Sequence, residues 1–520
     1  MKILLSIFAF LLSLSGFATD FGTLYDKTEY AAVNIVIRYE NGNKVVEHWG
    51  YELFNGIPEY KKLWSNITLG SGSGSFSISS NGSLTSGDTA FVTQGTYTSS
   101  CSITGLIGSA TKHITIIPLG SYATHPVFFT NKLNYYKCSY VDLKYFSFNN
   151  PSSGIGIQMD DGGNAGTQNN CYWMTVANCF FYKCTSQAIK KFNNIVWSGS
   201  ITDSATMIGW HCTFDSLSLD SCNSGLQGSY SSFHDSPGPK DVALYTQCSN
   251  WNCYDMTGGQ GVILGIEMHH LIYNFTLKQV TYITYVGDHG VFAFGGGSWG
   301  CSGAIHDCYI DGPYPQWIAR INIYTLSGDS QPAWEYIYNI VKTNSSTFGG
   351  VYIQILAADT ATSYVKGGNF SISNVTGGNW PTINTYYNYM ADVGLMAARD
   401  TGWVHNCVLF NAAFTAKTPG VIIDESGGSW THRTGDTSNN VYSATRTPLQ
   451  LDSSSAWPTY KPTAGSPLIG AGTRTYLQSS TSYGGITWLT NPSIGGWEYG
   501  TTGSRCGINC LPNRKIHHHK

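Results

Sequence analysis

One repeating phrase constrains this chain more than any other feature of its sequence. An apolar residue, any residue, an Asn-like residue and two apolar residues separated by one recur at intervals of about 33 residues. Val176-Ala177-Asn178-Cys179-Phe180-Phe181 is a clear copy. The Asn-like slot reads successively as Tyr145, Asn178, His211, Gln247, Asn274, Asp307, Asn339, Asn369 and Asn406. Alternation on both sides of the slot gives two short strands, each with one face turned inward. The slot interrupts the alternation and marks a bend. An Asn there can bond the Asn of the next rung, about 4.8 Å away, and build a ladder. A second apolar phrase follows each slot, at Ile189, Leu226, Val262, Val291, Ile321, Val351, Ile383 and Val421, and Gly often precedes it. Three short strands per coil make an all-β solenoid, a parallel β-helix. Stacked helical repeats of this period would need 3.6-residue spacing and faces rich in Ala, Leu and Glu, which are absent.

Composition fits that reading. Charged residues are 11% of the 520, against roughly 25% in an ordinary soluble domain. Like charges one rung apart would repel along a stacked column, so a coil favours neutral flanks. The 59 Gly and the Asn suit its bends. A net charge of −3 supplies no basic field for nucleic acid. A hydrophobic fraction of 42% argues against disorder.

The amino terminus reads as an export signal. Lys2 precedes the apolar run Ile3 to Leu14, and Gly16-Phe17-Ala18 places small residues where a signal peptidase reads, so cleavage is expected after Ala18. The run is too short to span a bilayer, and no later stretch reaches the length of a transmembrane helix. The expected location is secreted or extracytoplasmic, at the cell surface or in the periplasm. Residues 19–68 read as a β-hairpin with its turn at Glu40-Asn41-Gly42-Asn43, either covering the open end of the coil or standing as a small module. Residues 69–500 form the β-helix and 501–520 a polar tail. The 14 Cys are even in number, but many lie inside apolar runs, where Cys acts as a small hydrophobe. Cys506 and Cys510 flank a short turn and could pair.

The ends of the coil resemble a known group. Gly87-Asp88-Thr89, Gly95-Thr96-Tyr97 and Ile114-Thr115-Ile116 resemble the first coil of secreted right-handed parallel β-helix proteins. Ala464-Gly465-Ser466-Pro467-Leu468 and Ile494-Gly495-Gly496-Trp497-Glu498-Tyr499 resemble their closing segment. That group, with the pectin-lyase-like fold, includes polysaccharide lyases of the chondroitinase B and alginate lyase type. The resemblance implies a right-handed coil over about residues 70–500 and says little about chemistry. Ser493 stands where the group usually carries Asp, and the amphipathic helix that usually precedes the first coil is missing.

Such lyases abstract a proton beside a sugar carboxylate with a Lys or Arg near neutralising groups or calcium, so Ca²⁺ is the cofactor the resemblance implies for a lyase. Arg320 is the best cation on the strands after the Gly turns, with Glu267 and His289 one to two rungs away, and these are the candidate catalytic residues. Lys190, Phe292, Asn322, Tyr352, Gln354 and Asn384 are the candidate substrate-binding residues of the same face. Adjacent His269 and His270 alternate faces and cannot chelate together, so no metal site is assigned. Two readings follow: a secreted carbohydrate-active enzyme on an acidic polysaccharide, or a non-catalytic surface or adhesive β-helix that binds glycans through Tyr and Asn. The expected partner is a polysaccharide or cell-surface glycan. Asp160-Asp161, His289 and Arg320 suggest a polygalacturonase-like hydrolase, but four coils separate the first pair from His289. At about 4.8 Å per rung that exceeds the span of paired glycosidase carboxylates.

Overall fold

The computed structural model describes residues 31–40, 43–54, 57–79, 84–120, 125–159, 171, 173–193, 212–222, 225–230, 245–254, 256, 263–265, 269–278, 290–294, 302–311, 317–323, 334–343, 351–355, 369–377, 391–394, 401–410, 439–443, 447–452, 460–475, 477–483 and 485–500. The expected signal segment and residues 501–520, with Cys506 and Cys510, lie outside them. The fold is a parallel β-helix. A representative coil runs through strands Val141–Lys144, Ser147–Asn149 and Ile155–Met159. Each pairs in parallel with its counterpart in the next coil: Thr175–Ala177, Phe180–Tyr182 and Gln187–Asn193. We call the three stacks the first, second and third sheets. Among the described residues the first two, together with the amino-terminal strands Ala31–Glu40, Asn43–Phe54 and Ile57–Leu69, form one hydrogen-bonded sheet of 23 strands folded along the Asn bend, and the third is a separate sheet of 11.

The bend is built as its residue types require. Tyr145, Asn178, Asn274, Asp307, Asn339 and Asn406 all have positive φ, a conformation that Asn and Asp tolerate better than most residues. Asn274 Nδ2 donates to Asn250 Oδ1 at 2.9 Å, and Asn339 Nδ2 donates to Asp307 Oδ1 at 3.0 Å. Three slots differ from the sequence reading. Register pairs Ala177 with Asp215 and Phe180 with Ser218, so the bend is at Ser216, not His211. Asp215 with Ser249 and Ser218 with Asn252 put the next at Asn250, not Gln247. Tyr338 with Ser373 and Ile340 with Val375 put another at Asn374, not Asn369. Inter-strand loops vary in length, and only strand pairing fixes which residue meets the bend.

Inside the tube like stacks on like. Phe129, Phe148 and Phe181 occupy one column, their centroids 5.0 and 4.9 Å apart and nearly parallel. Cys101, Cys138, Cys179, Cys184, Cys222 and Cys253 are buried among them as free thiols.

The amino-terminal edge of the first coil is paired with further chain. Strands Ala31–Glu40, Asn43–Phe54 and Ile57–Leu69 form an antiparallel meander, and Asn66–Leu69 then pairs in parallel with Thr89–Val92. One strand therefore serves both the meander and the first coil. Asp88 of the Gly-Asp-Thr motif secures this junction. Its buried carboxylate accepts from Ser65 N at 2.5 Å, Ser65 Oγ at 2.9 Å and Thr85 N at 2.6 Å. At the other end, residues 447–500 double back over the outer face of the second sheet. Leu449, Leu451, Tyr460, Leu468, Tyr483, Ile494 and Trp497 form a second apolar cluster with Tyr309, Val341 and Val408. Gly495 has φ +105°, and a Cβ there would lie 2.6 Å from Thr376 Oγ1, so only Gly fits.

Candidate functional site on the outer face of the first sheet

Strand alternation turns Asp142 and Lys144 outward on one face while Val141 and Leu143 fill the core. One coil earlier, His113 immediately precedes Ile114, which pairs with Val141. His113 Nδ1 lies 2.8 Å from Asp142 Oδ1, and Lys144 Nζ lies 3.0 Å from Asp142 Oδ2. Asp142 is largely buried, whereas His113 and Lys144 are each 30% exposed. Burial pushes the Asp142 carboxyl up. The hydrogen bond from His113 and the charge and hydrogen bond of Lys144 outweigh it, and the net shift is downward. Asp142 is therefore ionised at neutral pH and can only accept, so His113 Nδ1 carries the proton in that bond. Nε2 then presents its lone pair, in the manner of a base oriented by a carboxylate.

Aromatic rings flank this group. His113, Tyr140 and Trp173 hold the same position in three successive coils, as the pairing of Ile114 with Val141 and of Asp142 with Thr175 requires. The His113 ring meets Tyr140 edge-on at 5.6 Å, and Tyr140 stacks on Trp173 at 5.7 Å with planes 10° apart. Tyr140 and Trp173 both have φ +54°, unusual for bulky residues and costing about 1–3 kcal/mol each. The corner into the first sheet thus holds two large rings beside a reactive group.

A second imidazole–carboxylate pair lies further along this face. His306 Nδ1 is 2.8 Å from Oδ2 of buried Asp307, and its ring is sandwiched between Tyr273 at 5.2 Å and Tyr338 at 4.6 Å. Register places Lys144, Ala177, Asp215, Ser249, Tyr273, His306 and Tyr338 in one column. His306 is five rungs from Lys144, about 24 Å. Between them Asp215 accepts from Ser216 Oγ, Ser249 Oγ and Asn250 Nδ2.

The third sheet holds the described residues of the sequence-based site. One of its register columns runs Ser102, Asn134, Gln158, Lys190, Gln227, Leu264, Ala293, Arg320, Tyr352 and Asp392. Arg320 thus neighbours Tyr352, and Asn322 neighbours Gln354, in adjacent coils. Lys190 is in the same column but four rungs from Arg320, about 19 Å away. Phe292 corrects the expectation. It is in register with Ile263 and Ala319, its own side chain fully buried and edge-on to Phe275 at 5.4 Å, and cannot meet a substrate. The sequence reading placed it one residue out of phase with Arg320. Glu267, His289 and Asn384 lie outside the described residues.

Sequence reasoning missed His113, Asp142, Lys144 and the ring stack. The available signal was the alignment of Cys138-Ser139-Tyr140 with Cys171-Tyr172-Trp173, which places aromatic on aromatic one coil apart. Calcium does not fit the first-sheet group: Asp142 is its one carboxylate and is already shared by a histidine and an ammonium. No cluster of three or more His, Cys, Asp or Glu that could hold a metal occurs among the described residues.

With this geometry in view, comparison with known proteins adds architecture only. No protein-family model and no curated protein matches the chain. Among solved structures it is similar to a PL6 family polysaccharide lyase from Pseudopedobacter saltans, at 10% identity and TM-score 0.35, over 70% of this chain and 92% of that one. It is similar to a variant of the PL6 family alginate lyase AlyGC, at 9% and 0.37, over 81% of this chain and 57% of that one. Pectate lyase Pel9A matches at 11% and 0.28, over 80% and 89%. The chain spans little more than half of the AlyGC structure.

Proposed function

We propose that this is an exported β-helix protein that binds an acidic polysaccharide along the first sheet and cleaves it by β-elimination. The observation that carries the reading is the His113–Asp142–Lys144 group set against the Tyr140–Trp173 stack. Elimination requires a base for the proton beside a sugar carboxylate and positive charge near that carboxylate. His113 Nε2, oriented by Asp142, is the base, and Lys144 supplies the charge. Tyr140 and Trp173, stacked on one another across a rung, supply apolar surface for the sugar rings. Export is supported by the apolar run Ile3 to Leu14 before Ala18.

The test is a panel of acidic polysaccharides assayed for the ultraviolet absorbance of unsaturated products, with wild type and His113→Ala. Product from wild type and a loss of about 10²-fold or more in the variant is expected. No product from any substrate overturns the lyase reading, and full activity in the variant overturns the site.

A second reading, a glycan-binding protein without catalysis, is favoured by the uncharged polar start of that third-sheet column, Ser77, Ser102, Asn134 and Gln158. There Ser77 and Ser102 hydroxyls meet at 2.8 Å, and Asn134 Nδ2 donates to Ser100 Oγ at 2.7 Å. Retention of polysaccharide without product, lost on substitution in this column, would establish it.

A further inference from the structure

The buried thiols are not scattered at random over the coil. Asp142 pairs with Thr175, and Cys138 and Cys171 stand four residues before each of them. Tyr182 pairs with Asp220, and Cys184 and Cys222 stand two residues after each. Each pair thus occupies one position in two successive coils. All four side chains are 2% exposed or less, and register sets the two members of each pair beside one another in adjacent coils. Other described cysteines have different neighbours. Cys248 is paired with Phe214 and Ile272, Cys253 with Leu219 and Leu277, and Cys308 with Ile340. Cys101 is paired with Leu133, and Cys212 with Thr246.

In-register neighbours in adjacent parallel coils are separated by about 4.8 Å. That lies inside the Cα separation of about 4.4–6.8 Å that a disulfide spans. Cys138 and Cys222 make only weak donations to backbone carbonyls, Cys138 Sγ to Tyr136 O at 3.2 Å and Cys222 Sγ to Asp220 O at 3.5 Å. Little is lost when their hydrogens go.

We infer that Cys138–Cys171 and Cys184–Cys222 close as two disulfides that staple three adjacent coils during folding in an oxidising compartment. The inference rests on the export reading for its oxidant. In each closure the two thiols lose two protons and two electrons and one S–S bond forms. The electrons pass by thiol–disulfide exchange to a disulfide-bearing oxidant, which is reduced to two thiols. Closure precedes burial, since the finished core excludes the oxidant. The bridges join the coil that carries Tyr140 and Asp142 to the coil of Trp173, and that coil to the next, while His113 stands one coil earlier. They would fix the rung spacing on which the candidate site depends.

The experiment uses the full chain in two preparations, one recovered from an exporting host and one refolded from denaturant in a glutathione redox buffer. Each is denatured without reduction, alkylated, digested and mapped by mass. Cys138 joined to Cys171 and Cys184 joined to Cys222, each bridge lighter by two hydrogens and free of label, is the expected result, with Cys248, Cys253 and Cys308 labelled. A Cys222→Ala chain should release Cys184 to the label and keep the other bridge. Label on all four thiols in both preparations, or linkage to other partners, overturns the proposal. Bridges in the refolded chain with labelled thiols in the exported one support the pairing and count against export.

Discussion

Replacing Asp142 by Asn removes one charge and almost no volume, and its consequences can be worked from two distances. Asp142 Oδ1 accepts from His113 Nδ1 at 2.8 Å and Oδ2 accepts from Lys144 Nζ at 3.0 Å. An amide has only one oxygen. The ammonium has donors alone, so the amide oxygen turns to Lys144 and the NH₂ turns to His113. Nδ1 must then accept, and the imidazole proton moves to Nε2, where the lone pair had been. Each bond to a charged group is worth about 1.5–3 kcal/mol. Both partners are 30% exposed, which puts the stability cost at the low end, about 1–2 kcal/mol. The cost to proton abstraction is far larger, about 10²–10⁴-fold, because the base presents the wrong tautomer. Two assays separate these effects. Nitrogen-15 NMR of the imidazole reads the tautomer directly, whatever the substrate, and the rate of unsaturated-product formation reads the chemistry. An unchanged tautomer in Asp142→Asn would refute the orientation argument. An unchanged rate with a changed tautomer would remove His113 from the role of base.

Other outcomes follow from the same contacts. Asp142 is held below the usual carboxylate range because its two partners outweigh its burial, so its contribution is full above the unfolded pKa of about 3.9. That contribution disappears as pH falls through the folded value, and acid unfolding of Asp142→Asn should show less pH dependence in that window. Asp88→Ala should cost about 2–5 kcal/mol, since the N–H and hydroxyl of fully buried Ser65 lose their acceptor. Local hydrogen exchange at Ser65 and Thr89–Val92 checks this, because repeat coils can open piecemeal. Ser493→Asp should destabilise the closing segment: Ser493 Oγ donates to buried Glu498, whose carboxylate also accepts from Leu489 N and Ser493 N. Two carboxylates there would repel, and protease cleavage between residues 447 and 500 should rise relative to wild type.

The coil was legible in the chain because its cause is local. Alternation through Val141 to Lys144 or Phe180 to Tyr182 needs only a strand with one wet and one dry face. An Asn that accepts positive φ needs only its own side chain. Low charge follows from stacking, and no tertiary detail enters. Register is another matter, since loops between strands differ in length, and Ser216, Asn250 and Asn374 became bends only through what they stack upon. The same holds for the candidate site. His113 reaches Asp142 from the preceding coil, and Tyr140 meets Trp173 across a rung. Phe292 is in register with Ala319, one residue out of phase with Arg320. Residues 447–500 could be read as a closing segment, but only the fold decided that their Tyr483, Ile494 and Trp497 cover Tyr309, Val341 and Val408. Periodicity is written residue by residue along the chain, whereas contact between coils depends on how much chain each turn consumes, and that is settled when the turns pack.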